Sequence, residues 1–361
     1  MGGGHSHSVL LRAVAAKGID SVSITLISST RFATYSGMLP GVISGDYPPS
    51  AMTIDLQALC QRAGACFIEA TIRHIDAERQ MLCVADGRQY HYDIASIDIG
   101  SQSDVECIAG SHCATPVKPI HEMLESVAQI EQRLIANPKL AMTLSVVGAG
   151  AAGVELILAL ACRFKDFNID FTLVSKGSGV LSGYPVSVQK TLVERLCNSG
   201  ITLLTDTTVS NVSDTAIHST EGKTLASDAT FLCTPAVGAS WLRNCGLPLT
   251  EKNFILVNQY LQVEAFPTLF AVGDICHFTP QPLAKAGVYA VRMGDSLLDN
   301  IIKLACDKPL AVYKPQQDFL SLLACGDRYA IGCKWGVTFY GAWVWRLKNY
   351  IDQRFMASLR G

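Results

Sequence analysis

The chain carries no excess of charge: 29 basic and 31 acidic residues among 361 leave a formal net charge of −2. Proteins that grip nucleic acid normally show a strong basic excess, so that partner class is excluded as a general role. Charged residues are only 17% of the chain and hydrophobic residues 49%, which excludes a disordered, self-repelling polymer and allows a large core. No apolar run reaches the roughly 18 residues that a membrane span needs. No basic-then-apolar leader opens the sequence, which starts with glycine and histidine, and a cytoplasmic location is expected. Cysteine is plentiful at 13, yet no Cys-x-x-Cys pair is present. The nearest pairs, Cys60 with Cys66 and Cys107 with Cys113, are each separated by five residues, which suits neither a zinc knuckle nor a redox dithiol. No metal site is expected, and the cysteines read as small buried hydrophobes in a reducing compartment. Low-complexity tracts are also missing. At roughly 150 residues per domain, the length suggests two to three domains.

What is present centres on glycine. Met142–Val147 reads as a strand, Gly148-Ala149-Gly150-Ala151-Ala152-Gly153 as a complete G-x-G-x-x-G turn, Val154–Ala161 as a buried helix and Phe171–Val174 as the next strand. That setting is what a dinucleotide fingerprint requires: glycines let backbone approach a pyrophosphate, and the helix N-terminus offers free N–H groups to it. Gly148, Gly150 and Gly153 are therefore nucleotide-binding candidates. An acid at the end of the second strand would bond a ribose 2′-hydroxyl. Ser175-Lys176 stands there instead, so Lys176 either favours a 2′-phosphate, hence NADPH, or is a solvated surface charge.

A weaker glycine turn opens the chain. Gly2-Gly3-Gly4-His5-Ser6-His7 precedes an apolar stretch (Val9, Leu10, Leu11, Val14) and then the alternating strand pattern Val22–Ile27. Gly2, Gly4, His5 and Ser6 are the candidate contacts. His7 replaces the third glycine and Ser28 replaces the acid at the strand end. Met1-Gly2-Gly3-Gly4-His5-Ser6 also matches the myristoylation pattern, but a nucleotide turn explains the same glycines. A third landmark is Thr268–Asp274, an apolar strand ending in Gly273-Asp274, with a helix expected from Leu283 to Ala290. Asp274 can accept a bond from a polyol hydroxyl or cap the following helix.

In this order, the parts resemble the FAD/NAD(P)-dependent pyridine nucleotide-disulfide oxidoreductases over nearly the whole chain. Thr34–Gly41, Lys314–Leu320, Gly341–Arg346 and the Gly-Gly-Gly-His-Ser-His opening carry a closer resemblance. It is to the subfamily often fused ahead of selenide, water dikinase (selenophosphate synthase), itself similar to type II NADH dehydrogenases. The resemblance implies an α/β fold of two Rossmann-like domains, the second inserted in the first. Residues 1–116 and 250–310 would bind FAD, 117–249 would bind NAD(P)H, and 311–361 would form a C-terminal extension. Tyr92–Ser101, including Gly100, would return to the flavin, and Phe231–Pro235 would leave the nicotinamide unit. The fold calls for a central strand before Gly2, so the true start is expected upstream of Met1; if Met1 is the start, FAD binding is expected to be weak. Residues 66–99 alternate around Asp86-Gly87 and suggest a small antiparallel insert.

The wider family's disulfide reductases place a Cys-x4-Cys pair soon after the first ribose strand, but Arg31–Leu59 contains no cysteine. The flavin itself is thus the expected donor to a small-molecule acceptor, quinone being one candidate. Glu155 resembles the acid near the nicotinamide, or is an acid favoured by the helix dipole. Tyr35, in the Tyr35–Pro40 loop, is expected near the flavin. Lys285, at the start of the late helix, would stabilise the anionic flavin or face solvent. In the tail, Trp343, Leu347, Tyr350, Ile351 and Phe355 share one helical face, and Arg346, Asn349 and Gln353 another. That face suits peripheral contact with the inner face of a membrane, or packing on the body or a twin subunit. The alternative to an NAD(P)H oxidoreductase is a non-catalytic nucleotide-binding module serving selenophosphate synthase.

Overall fold

Met142–Val147 is buried at five of its six positions, as a strand covered on both faces must be. It forms the middle of a five-stranded parallel sheet with Thr115–Pro116, Ala229–Leu232, Ile169–Val174 and Ile201–Leu204. The computed structural model describes residues 1–19 and 21–360. Its helices are α1 (His5–Lys17), α2 (Leu39–Ile43), α3 (Leu56–Arg62), α4 (Ile120–Ala136), α5 (Ala151–Arg163), α6 (Val186–Asn198), α7 (Gly287–Ala305) and α8 (Ala342–Arg360). The inner face of α5 is almost wholly buried, from Gly153 through Ala161. An antiparallel trio, Val209–Val212, Ala216–Ser219 and Thr224–Ala226, covers one side of this unit.

The chain leaves a second sheet at Ile97 and returns to it at Ile255. That sheet has the order Cys276–Phe278, Ile255–Val257, Gln262–Val263, Phe266–Ala271, Ala95–Ile97. Two short antiparallel segments, Gln102–Ser103 and Ala236–Val237, pair where the chain crosses between the units. Thr25–Ser28 and Cys66–Glu69 form a separate parallel pair. Met1 and Gly2 lie between the two pieces: the Met1 amine donates to Ser96 O at 2.7 Å, Asp98 N to Met1 O at 2.8 Å, and Gly2 N to Ile27 O at 2.8 Å. Met1 and Gly2 thus join the edges of the two pieces by backbone hydrogen bonds.

The structure corrects three sequence expectations. Cys66–Glu69 is parallel to Thr25–Ser28, so the antiparallel insert is confined to Ile72–Asp76, Met81–Val84 and Gln89–His91; alternation reports a half-buried strand, not its partner's direction. The late helix begins at Gly287, with Ala286 in extended conformation as its N-cap. Lys285 accordingly lies in the preceding loop. The tail helix α8 buries Val344, Asp352, Met356 and Leu359 and leaves Trp343, Tyr350 and Ile351 exposed. Its inward line includes a charged pair, Lys348–Asp352 at 2.7 Å, whose side chains are 11% and 8% exposed. Helical periodicity of hydrophobicity cannot register a face whose central members are charged.

Helices α1 and α7 pack directly on one another. A Cβ at Gly294 would stand 2.6 Å from Ser6 O and 2.7 Å from Val9 Cβ. G294A should therefore push α1 off α7 and cost roughly 1–3 kcal/mol, as overpacking does. A lower urea midpoint, with little change for G287A, whose Cβ meets nothing within 4 Å, is the expected result.

Candidate active site

The opening glycine turn leads into α1 with Gly4 as an extended N-cap that makes no side-chain cap bond. Each glycine has a steric cause. Gly2 has φ +85°, a Cβ at Gly3 would stand 2.3 Å from Leu56 Cδ1, and one at Gly4 would stand 2.2 Å from the Asp98 carboxylate. Gly4 N donates to Asp98 O at 3.0 Å, and His7 N donates to Asp98 Oδ2 at 3.0 Å. His7, in the third glycine position, is buried and joins Gly2 O to Ser96 Oγ, both at 2.7 Å. Burial lowers its pKa to about 3, so the neutral ring donates from Nδ1 to the carbonyl and accepts at Nε2 from the hydroxyl. The departure from the glycine pattern is thus a built contact.

Ser6, expected at the cofactor, is buried and donates to Ala290 O at 2.7 Å. It ties α1 to α7. His5 stays at the cleft, edge-on to Tyr35 with ring centroids 5.3 Å apart. Its Nε2 is buried without a hydrogen-bond partner among the described residues. Burial lowers the His5 pKa, with Asp274 opposing and Lys118 reinforcing the shift.

Gly273-Asp274 closes the same end. Gly273 has φ +69°, and its Cβ would stand 2.4 Å from Asp98 Oδ1, so Asp98 touches both glycine landmarks. Asp274 Oδ2 accepts from Lys118 Nζ at 3.0 Å and Ser101 Oγ at 3.3 Å, while Lys118 also donates to Ser101 Oγ at 2.8 Å. Burial opposes ionisation of Asp274, but Lys118, by charge and hydrogen bond, with Lys285 behind it, holds its carboxyl below the usual range. At Gly100, φ +70°, a Cβ would meet no atom within 4 Å. Lys285 points elsewhere: its ammonium donates to Cys276 O and sits 4.0 Å over the Phe254 ring.

At the second turn, Gly148 has φ +110° and its Cβ would stand 2.3 Å from Cys233 O, while a Cβ at Gly153 would stand 1.8 Å from Gly148 O. These two are packing glycines. Gly150 caps α5 without a side-chain bond and faces open space. Ser175 is buried and donates to Gly179 O at 2.6 Å, shaping the loop on which Lys176 stands exposed.

The C-terminal sheet (Ser321–Ala324, Ala330–Lys334, Val337–Gly341) and α8 lie against both units. Glu155 Oε1, from α5, accepts from Ala324 N at 2.8 Å. Burial raises the Glu155 pKa to about 7, opposed by Lys348 and the Ala324 N–H and assisted by Asp352. Tyr35 OH donates to Asp352 Oδ1 at 3.0 Å, and Lys348 donates to Asp352 Oδ2 at 2.7 Å and to Gly37 O. Tyr47 OH donates to Asn349 Oδ1 at 2.7 Å. Glu155 and Tyr35, far apart in sequence, therefore meet one group of buried polar residues.

Sequence reasoning missed Asp98, Lys118, Lys348 and Asp352. An acid between Ile97 and Ile99 is a signal for the first, and Lys348 and Asp352 stand four apart on one helix; their other partners, like those of Lys118, are distant in the chain. The thiols of Cys233, Cys276 and Cys325, raised to about 12 by burial, stay protonated and are poor nucleophiles.

These residues fit FAD at the first turn and a nicotinamide nucleotide at the second. Both helix N-termini lack side-chain caps, Gly100 and Gly150 present open backbone, and Asp274 Oδ1 has no donor among the described residues. Known proteins agree. The profile of the family described as pyridine nucleotide-disulphide oxidoreductase matches residues 2–294. Ferroptosis suppressor protein 1 of Taeniopygia guttata is 24% identical over 282 residues, 74% of this chain and 71% of that protein. An NADH dehydrogenase-like protein of Mycobacterium tuberculosis is 26% identical over 331 residues, 84% of this chain and 80% of that protein. Among solved structures, sulfide:quinone oxidoreductase of Aquifex aeolicus superposes with a TM-score of 0.83 at 17% identity, covering 99% of this chain and 90% of that one. NDH2 of Plasmodium falciparum, in complex with NADH, gives 0.81 at 15% identity, covering 96% and 95%. The chain belongs to the pyridine nucleotide-disulphide oxidoreductase family, as an oxidoreductase that works with FAD and a nicotinamide nucleotide.

Proposed function

We propose that the protein oxidises NAD(P)H and passes the electrons through FAD to a quinone-type acceptor that reaches the site beneath the C-terminal module. The observation that carries this reading is the bridging position of α8 and its sheet. They bond Glu155 of the nicotinamide unit and Tyr35 of the FAD unit within one polar group. Two relatives by sequence or fold are named for quinone, the type II NADH:quinone oxidoreductase of Haemophilus influenzae and the sulfide:quinone oxidoreductase.

FAD, when bound, supplies the hydride and electron chemistry. The protein's part is binding, orientation and proton management. The N-termini of α1 and α5 would each face a pyrophosphate, with Gly100 and Gly150 leaving backbone open to approach and Gly2, Gly4, Gly148 and Gly153 letting the two turns pack tightly enough to present it. Asp274 Oδ1 would accept from a polyol hydroxyl. Glu155, with its pKa near neutrality, suits proton transfer at the reduction of an acceptor. Lys176, with no acid beside it, supports a preference for NADPH. Buried cysteines held protonated argue against a thiol relay.

The outer face of the C-terminal module supports a second element, contact with an anionic membrane surface. Trp335, Val337, Trp343 and Tyr350 are 71%, 64%, 55% and 60% exposed. From Arg328 onward the only acid is Asp352, whose charge Lys348 answers, against Arg328, Lys334, Arg346, Arg354 and Arg360. Aromatic anchors among cations match the chemistry of a lipid interface. No helix among the described residues is long and apolar enough to cross a membrane.

Protein reconstituted with FAD should show a flavin spectrum that bleaches under anaerobic NAD(P)H, faster with NADPH. Bound flavin that stays oxidised would instead favour the module serving selenophosphate synthesis. E155Q should lower kcat with quinone by roughly 100-fold or more. Because the folded pKa of Glu155 is raised, its contribution to stability is present below 4.5 and lost as pH rises through about 7. E155Q should therefore flatten the pH dependence of the urea midpoint across that window. Wild-type protein should float with anionic liposomes at low salt and not with neutral ones, and W335S/W343S should abolish flotation; equal recovery of both proteins would refute the membrane contact.

A further inference from the structure

Two lysines stand near the FAD end of the cleft, and they are differently employed. Lys285 gives its ammonium to the Cys276 carbonyl and the face of Phe254. Burial lowers its pKa, against the pull of Cys276 and Asp274. Lys118 comes from the other side, in the segment that follows strand Thr115–Pro116 of the nicotinamide sheet. It crosses to the FAD unit and is pinned by Ser101 Oγ at 2.8 Å and Asp274 Oδ2 at 3.0 Å. An ammonium has three N–H donors, so one remains. The side chain is 35% exposed. Around it are the open backbone of Gly100, the free Oδ1 of Asp274 and the unpartnered Nε2 of His5. His5 is kept neutral by burial, which leaves Lys118, among the described residues, as the cation hydrogen-bonded to Ser101 and Asp274 beside these groups.

Resting on the assignment of this cleft to FAD, we propose that Lys118 is the cofactor-facing cation that stabilises the reduced, anionic form of the bound flavin. Its two fixed bonds set the ammonium before the electrons arrive, so the gain on reduction is not offset by reorganisation. Asp274 neutralises part of that charge, and the polyol bond available at its other oxygen shares the carboxylate between cofactor and lysine. Lys118 also makes the flavin's environment depend on the crossing between the two nucleotide units, since its backbone belongs to one and its partners to the other.

The test compares wild type, K118M and K118R, each reconstituted with FAD. The midpoint potential of the bound flavin is measured against reference dyes, with no nicotinamide or acceptor present. K118M should shift the reduced-to-oxidised ratio at fixed poise by about tenfold toward oxidised, about 30 mV more negative for a two-electron couple, and K118R should recover most of it. Weaker FAD binding in K118M at an unchanged potential would mean that the lysine holds both redox forms equally, and would also overturn the inference. Equal potentials and equal FAD affinity in all three, even with lowered stability in K118M, would make Lys118 a structural tether and overturn it. Failure of the wild type to take up FAD would remove the assignment of the cleft itself, a result distinct from a failure of Lys118 alone.

Discussion

Asp98 is the joint on which the cofactor end of the molecule depends. Its carboxylate occupies the space that side chains at Gly4 and Gly273 would need, and it accepts the His7 N–H at the start of α1. Its backbone meanwhile bonds Met1 O and Gly4 N. Burial raises its pKa to about 7, with the His7 N–H opposing. One residue thus brings together the opening turn, the strand that returns from the insert and the late Gly-Asp landmark. Those segments are widely separated in the chain, and a binding cleft between them requires such a common point.

The C-terminal module solves a second problem. Two nucleotide units joined by short crossings tend to move relative to one another unless something spans them. Here the C-terminal module spans them, its sheet bonding Glu155 through Ala324 N and α8 bonding Tyr35 and Gly37. Burying Lys348 and Asp352 carries a desolvation penalty that is met only because each has further partners, Gly37 O for the lysine and Tyr35 OH for the aspartate. Such a pair contributes little net stability but defines one arrangement, since misplacing either partner leaves a buried charge unanswered. The loop around Tyr35 is held in one geometry as a result, while Trp343 and Tyr350 of α8 are left for the outside.

The family, the two glycine turns and the parallel strands around Met142–Val147 were legible in the sequence. They rest on local pattern: an apolar strand, glycines at fixed spacing, a helix directly after. The absence of a dithiol after the first ribose strand was equally plain. Less was legible where one residue type serves several ends. Ser6 and Lys285 looked like cofactor residues by position, yet Ser6 bonds α7 and Lys285 a carbonyl. Alternation in 66–69 looked antiparallel, and the aromatic face of the tail suited a membrane surface or a packed interface alike.

What the sequence alone determined is the class of chemistry, because a glycine turn between strand and helix has its function written in local backbone geometry. What only the tertiary structure decided is which side chains serve that chemistry. Asp98, Lys118, Lys348 and Asp352 gain their meaning from partners at Gly4, Asp274, Gly37 and Tyr35. Contacts over such separations are fixed by how the sheets and helices pack, and no local pattern records them.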